Sequence, residues 1–189
     1  MKHVLVDIET MGVNAYAPIV AIGAVEFDPY GQTQYDNEFY TVIDLQSCLQ
    51  LGLRPDGATV SWWMKQGEKA RLSLVGDSVD AMDISDALAD FGVWYKASGF
   101  EKLWSFGYFD PMILGSAYEM SHIPCPFHYR HVMDARTLLI LAGIPKTKEG
   151  GIEHHALDDA KRHARDVIWA YNQLALVPST TNVPSSSSP

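Results

Sequence analysis

Two carboxylates separated by one residue, Asp7 and Glu9, lie in the first apolar segment of the chain, HVLVDIE at residues 3–9. This segment is rich in β-branched residues and predicts a strand. Side chains two residues apart on a strand project from the same face, so both carboxylates point to one side. Two like charges on a buried surface are unfavourable unless a cation neutralises them, and oxygen ligands favour Mg²⁺ or Mn²⁺. The alternative is a strand end that emerges into water, where two acids cost little.

A third carboxylate, Asp110, opens a segment in the middle of the chain that is typical of a helix start. It precedes Pro111 in the sequence GYFDP at residues 107–111. Proline is common at the first helical position, so the spacing predicts that Asp110 is the N-cap. Capping alone would explain why an aspartate occurs at this position. It also leaves one carboxylate oxygen free, so the same residue is a candidate metal ligand.

Imidazole and carboxylate groups meet again in the sequence HHALDDA, which begins the last segment with helical periodicity, at residues 154–160. Two glycines precede it, so His154 is predicted in a loop where it could act as a base and still admit substrate. Leu157 belongs to the apolar face of the helix, which puts Asp159 near the edge of that face and Asp158 farther toward solvent. Asp159 is therefore the better ligand candidate. The alternative is that these acids only complement the helix dipole.

The elements that carry these groups are early strands followed by alternating helices and strands. Strands are predicted at residues 3–9, 18–27 and 33–43, with a turn at 29–32, and shorter strands at 103–106 and 129–133. Helices are predicted within 58–98, with loops near Gly67 and Gly76, and at 111–121, 136–142 and 156–175. This order indicates an α/β fold with a mixed sheet covered by helices.

The length and composition fit one domain. A chain of 189 residues, 47% of them hydrophobic, can bury a core without disulfides. Its two cysteines are too few for a disulfide framework or a Cys-rich zinc site, which favours a reducing compartment. No stretch approaches about 18 uninterrupted apolar residues, so neither a membrane span nor a signal peptide is expected. We predict a folded domain over residues 1–177 and a disordered Ser/Pro-rich tail over residues 178–189.

The order and spacing of the three acidic motifs resemble the DEDDh family of 3′→5′ exonucleases, which includes proofreading exonucleases and ribonuclease T. The resemblance covers residues 3 to about 175. It is closest to a phage and bacterial branch with a tryptophan pair, on the segments SWWM at 61–64, FDPMIL at 109–114 and DART at 134–137. The roles of Trp62 and Trp63 stay open between stacking on bases and packing, although adjacent helical residues diverge, so at least one is expected in the core.

The resemblance implies a ribonuclease-H-like fold, with a mixed five-stranded sheet flanked by helices. It also implies that four acids bind two divalent cations, Mg²⁺ or Mn²⁺, and these acids are Asp7, Glu9, Asp110 and Asp159. His154 would be the general base, and His155 lies one place off the motif. Thr10 and Met11 match the positions that contact the 3′-terminal nucleotide. Phe106 departs from the pattern, because many relatives have a small or amide residue there, so the shape of the nucleotide pocket is expected to differ.

The activity implied is metal-dependent 3′→5′ hydrolysis of single-stranded or overhanging 3′ ends of RNA or DNA, which releases nucleoside 5′-monophosphates. A non-catalytic module that binds nucleic acid or protein on the same fold is the competing interpretation, and an endonuclease of the broader ribonuclease H type is a further one. Relatives that dimerise make a homodimer plausible, and the resemblance implies a cytoplasmic protein of bacterial or phage type.

The net charge of −9 argues against broad, non-specific binding of a polyanion. Two divalent cations would offset the four candidate acids and reverse the local sign. The charge therefore predicts binding that is confined to a short 3′ end and depends on metal. The candidate phosphate contacts are basic residues in the second half of the chain: Arg130, Arg136, Lys146, Lys148, Lys161, Arg162 and Arg165.

Overall fold

The central strand of the sheet is β1 (His3–Thr10), the segment that carries the first two acids. The computed structural model describes residues 2–31, 35, 37–75, 81–147 and 150–176. The other strands are β2 (Ile19–Phe27), β3 (Glu38–Val42), β4 (Lys102–Ser105) and β5 (Val132–Asp134). They form one sheet in the order β3-β2-β1-β4-β5, in which β1, β2 and β3 are antiparallel while β4 and β5 run parallel to β1. The predicted mixed five-stranded sheet is confirmed, and it is consistent with a ribonuclease-H-like fold.

Helices cover both faces of this sheet. They are α1 (Leu45–Leu51), α2 (Gly57–Trp63), α3 (Glu68–Val75), α4 (Ile84–Ser98), α5 (Phe109–Met120), α6 (Ala135–Ala142) and α7 (Ala156–Gln173), and a 3₁₀ turn spans Tyr129–His131. Within the part of the chain that the structure describes, none of the helices is long and apolar enough to span a bilayer.

The alternation of side chains along β1 divides the core into two layers. Val4, Val6 and Ile8 pack on one face, against the buried sides of α4 and α5. Leu5 packs on the opposite face, against a run of small residues on α7 that includes Ala160. Because residues two apart share a face, Asp7 and Glu9 also point toward α7. The two acids therefore project into the layer where the last helix lies.

The start of α7 is held unusually close to the sheet by Gly23. This glycine lies opposite Asp7 in the pairing of β1 with β2. A β-carbon at position 23 would lie 2.2 Å from the main-chain carbon of Ala156. Only a residue without a side chain allows this approach, which brings the first turn of α7 next to the acids of β1.

Several elements differ from the sequence-based expectation. The third strand spans Glu38–Val42, and residues 33, 34 and 36 of its predicted range lie outside the described residues. Helix α1 was not predicted, although its caps are visible in the sequence: Asp44 accepts hydrogen bonds from two main-chain N–H groups, and Gly52 ends the helix with φ of 99°. The strand expected at 129–133 divides into the 3₁₀ turn and β5. The predicted tail at 178–189 lies outside the described residues.

Candidate active site

Asp7 and Glu9 lie under α7 rather than at an exposed strand end. The side chain of Asp7 is 14% exposed, and Glu9 is 7% exposed. Burial raises the pKa of Asp7 well above its usual range, and the neighbouring Asp110, Glu9 and Asp159 raise it further. Burial and the nearby acids also raise the pKa of Glu9 to about 8. Acids held this way favour a proton or a cation as partner.

Asp110 is not the N-cap that the sequence predicted. Helix α5 begins at Phe109, two residues earlier than predicted, so Tyr108 is the N-cap and Asp110 is the second helical residue. Pro111 is tolerated there because the N–H groups of the first turn need no partner within the helix. The carboxylate turns inward instead, and its Oδ1 accepts a hydrogen bond of 3.2 Å from the N–H of Ile8 on β1. Burial raises the pKa of Asp110 to about 7, and this main-chain hydrogen bond opposes the rise.

Asp159 is buried on α7 and forms an ion pair with Arg162, one turn later. The guanidinium also donates from Nη1 to the carbonyl of Gly150, at 2.9 Å. Arg162 is only 5% exposed, so it connects a candidate ligand with the loop before the helix and is not a surface contact for phosphate. Burial still raises the pKa of Asp159, although the positive charge of Arg162 opposes the rise.

His154 completes the cluster from the loop before α7. One ligand atom from each of Glu9, His154 and Asp159 lies within 4.8 Å of the others. The backbone of His154 has φ of 63°, a left-handed conformation that is uncommon for residues other than glycine and is often retained at functional sites. Its ring meets Trp62 and Trp63 edge-on, at centroid distances of 4.8 and 5.9 Å. The tryptophan pair thus forms the wall behind the imidazole.

His155 has a different position from His154. It is the N-cap of α7, where its Nδ1 accepts a hydrogen bond of 3.4 Å from the N–H of Asp158. Its ring stacks on Tyr40 of β3, with centroids 4.6 Å apart. These contacts fix the start of the helix, so His155 positions the elements around the site.

A cleft of about 720 Å³ opens beside Glu9. Its walls include Thr10, Trp62 and Phe109. Trp62 is 41% exposed, whereas Trp63 is buried and donates from Nε1 to the carbonyl of Thr10, at 2.9 Å. The expectation that one tryptophan lies in the core is thereby met.

Met11 lines a different cavity from Thr10. Its side chain lines a neighbouring apolar cavity of about 460 Å³, which Trp63 and Leu74 also line. Thr10 lines the cleft beside Glu9 whereas Met11 lines the neighbouring cavity, so the structure does not bring both of them into that cleft.

Two of the predicted basic residues flank the acids. The ammonium of Lys146 lies 4.4 Å from the centroid of the Phe106 ring, and the guanidinium of Arg136 lies 5.1 Å from it. Lys146 also lowers the pKa of every candidate acid. The loop that carries Lys146 is anchored to α7, because the hydroxyl and N–H of Thr147 donate to the buried carboxylate of Asp166.

Other predicted phosphate contacts have different surroundings. Lys161 pairs with Glu38 at 2.7 Å, and Arg130 lies over the ring of Tyr129. Arg165 is exposed and lies beside Gly150 in the loop before α7. Lys148 falls outside the described residues.

The donor set suits hard divalent cations. Four carboxylates converge at the end of β1, and burial raises the pKa of each of them. Oxygen-rich sites of this kind match Mg²⁺ and Mn²⁺, and an added positive charge would relieve the repulsion among the acids.

The sequence of the chain matches a known protein family. A family model described as the 3′-5′ exoribonuclease Rv2179c-like domain matches residues 2–170. The chain belongs to this family. Membership in the Rv2179c-like family supports 3′-5′ exonuclease activity, the hydrolysis of nucleic acid from its 3′ end, for this chain. A comparison with curated proteins found no match.

Sequence reasoning missed His163 and Asp166 of this Rv2179c-like domain, and it expected Arg162 to be a phosphate contact rather than a buried residue. Arg162, His163 and Asp166 lie on the inner side of α7, three to seven residues after Asp159. Their spacing places them on the same helical face as Asp159, which is a signal that the sequence contains. Polar residue types on a helix are normally exposed, so the pattern alone does not indicate their burial.

Proposed function

We propose that this domain is a DEDDh-type, metal-dependent 3′→5′ exonuclease that removes nucleoside 5′-monophosphates from a single-stranded or overhanging 3′ end. The observation that carries the proposal is that Glu9 and Asp159 meet His154 beside an open cleft, with Asp7 and Asp110 near enough to raise the pKa values of these acids or to have theirs raised by them. RNA is the proposed substrate class because the family description names an exoribonuclease. A cytoplasmic location and a homodimer stay predictions from the sequence.

Four acids would hold two divalent cations, Mg²⁺ or Mn²⁺, in this proposal: Asp7, Glu9, Asp110 and Asp159. Bound cations supply Lewis acidity to the scissile phosphate and acidify a water molecule. The protein's contribution is to fix the ligands on separate rigid elements, with two acids on β1, one on α5 and one on α7. Their raised pKa values mean that protons compete with the cations for these carboxylates.

His154 is the proposed general base, because its ring nitrogen can accept the proton of the attacking water. Its loop is joined to Asp159 through the contacts of Arg162 with that acid and with Gly150. The edges of Trp62 and Trp63 limit the space available to the ring. The base is thereby kept next to the candidate ligands without being part of a helix or strand.

The cleft beside Glu9 is the proposed site of the terminal nucleotide. Trp62 and Phe109 offer apolar surface for a base, and Thr10 lines the same cleft. The proposed role of Met11 is to support Trp63 from the neighbouring cavity. Lys146 and Arg136 would bind substrate phosphate, which agrees with recognition of a short end by a protein whose net charge is −9.

The experiment that tests this proposal uses 5′-labelled RNA and DNA oligonucleotides, single-stranded and with a 3′ overhang, incubated with Mg²⁺, Mn²⁺ or EDTA. We expect a ladder of products shortened from the 3′ end, faster on RNA, and no product in EDTA. Internal cuts would indicate an endonuclease. Retention of the oligonucleotide without cleavage would indicate a binding module.

The role of His154 has a separate test with His154→Gln under single-turnover conditions. Glutamine cannot accept the proton of the attacking water, so we expect the variant to be slow at saturating metal while it remains folded. Parent-like turnover by the folded variant would contradict the assignment.

A further inference from the structure

Four polar residues are buried on the inner face of α7: Asp159, Arg162, His163 and Asp166. Of these four, His163 is the one that lacks a hydrogen-bond partner among the described residues. Asp159 and Arg162 pair with each other, and Asp166 accepts from Thr147. Both ring nitrogens of His163 are buried and unpaired within the described ranges. A buried polar group without a partner costs stability, so the position needs an explanation that packing alone does not give.

The surroundings of His163 fix its ring against one acid. The residue is 1% exposed, and its ring stacks on Phe106 with centroids 4.7 Å apart. Lys146 and Arg136 cover the Phe106 ring, so this side is closed. The acid beside this ring is Asp7, whose Oδ1 lies 3.5 Å from Nδ1 of His163, and the charges of Lys146 and Arg162 also act on the imidazole.

We propose that His163 is a positioning residue for Asp7, in which the Nδ1–H group donates to Oδ1 of the carboxylate and leaves Oδ2 to face the cation site. The inference rests on the proposed metal-binding function of Asp7. Ligand carboxylates in metal sites are commonly oriented by hydrogen bonds from residues behind them, and loss of such a partner weakens metal binding.

A donor to Asp7 would offset the repulsion from the three acids around it. Asp110, Glu9 and Asp159 all raise its pKa, whereas Lys146 acts in the opposite direction. A donor on the α7 side satisfies one oxygen and fixes the rotamer of the side chain before a cation binds. Phe106 holds the imidazole in place by this stacking.

The test compares two substitutions at position 163. His163→Phe keeps the ring against Phe106 and removes the donor, whereas His163→Asn keeps an amide N–H near the position of Nδ1. Mn²⁺ binding is measured by titration calorimetry without substrate, and folding is checked by thermal melting in EDTA. The control is His131→Phe, which changes an exposed histidine on the 3₁₀ turn.

We expect the Phe variant to bind Mn²⁺ about 10- to 100-fold more weakly while it melts no lower than the parent in EDTA. The Asn variant should recover most of the affinity, and the His131 control should match the parent. Cleavage by the Phe variant should recover at high Mn²⁺, because only the orientation of the ligand is impaired. His163→Leu provides a second donor-free variant if Phe prevents folding.

Parent-like Mn²⁺ affinity in a folded donor-free variant would overturn the inference, as would equal losses in the Asn and Phe variants. A parent protein that binds no Mn²⁺ would overturn it as well. The inference and the proposed function can fail separately. If the parent binds Mn²⁺, and the variants behave as expected, but no oligonucleotide is cleaved, the nuclease proposal fails and the positioning role stands.

Discussion

Glu9 should reduce the stability of the metal-free protein, and this can be measured apart from catalysis. Burial is the main reason that its pKa rises to about 8, with further contributions from Asp159 and Asp110. The folded protein therefore keeps a proton on Glu9 at pH values where the unfolded chain has released it. Between the ordinary value of 4.5 and about 8, unfolding releases a proton, so stability falls as pH rises.

The size of this effect follows from proton linkage. One proton released on unfolding changes the free energy of unfolding by about 1.4 kcal/mol per pH unit. The buried acids share protons among themselves, so the part that belongs to Glu9 is closer to about 1 kcal/mol per pH unit. Between about pH 5.5 and 7.5 the metal-free parent should lose about 2 kcal/mol through this residue.

The perturbation is Glu9→Gln, which keeps the shape of the side chain and removes its titration. Urea unfolding in EDTA is followed by circular dichroism at both pH values. The free energy of unfolding of the variant, relative to that of the parent, should increase by about 2 kcal/mol from about pH 5.5 to 7.5. Glu119→Gln, an exposed change on α5, should give no such gain. If the free energies of unfolding of the parent and of Glu9→Gln differ by the same amount at both pH values, the reasoning is refuted.

Three further outcomes are expected. Gly23→Ala should destabilise the protein by about 3 kcal/mol or more in urea unfolding, because its β-carbon would lie 2.2 Å from the backbone of Ala156. Parent-like stability would contradict that contact. Lys146→Ala should raise KM for RNA and lower the salt slope of binding by about 1, and an unchanged slope would remove Lys146 from the phosphate contacts. The affinity of the parent for Mn²⁺, measured by calorimetry, should rise between about pH 6 and 8, because the cation displaces protons from Glu9 and Asp110. An affinity that does not depend on pH would contradict the raised pKa values.

Period-two and helical patterns in the sequence were sufficient to place most of the acids. The alternation along β1 predicts that Asp7 and Glu9 share a face, and the structure turns that face toward α7. The apolar positions of α7 predict that Asp159 is more buried than Asp158, as the structure shows. Both predictions succeed because a regular element fixes the direction of its own side chains.

Predictions that depended on tertiary contacts were less complete. The N-cap assignment of Asp110 was wrong because a proline is accepted at several positions of a first turn, and the contact with Ile8 is formed across 102 residues of chain. The burial of Arg162 depends on a loop carbonyl at Gly150, and that of His163 on a ring from another element. Local sequence contains none of these partners.

The central claim is that the acids around β1 and α7 form the active site of a 3′→5′ exonuclease. The most direct measurement is the single-turnover release of mononucleotide from 3′-labelled RNA, with saturating Mn²⁺, by Asp159→Asn and by Asp90→Asn. Asp90 is an exposed aspartate on α4, which makes it a matched control. We predict that Asp90→Asn releases nucleotide at the parent rate and that Asp159→Asn falls to the level without enzyme while it remains folded. Release at the parent rate by Asp159→Asn would contradict the account.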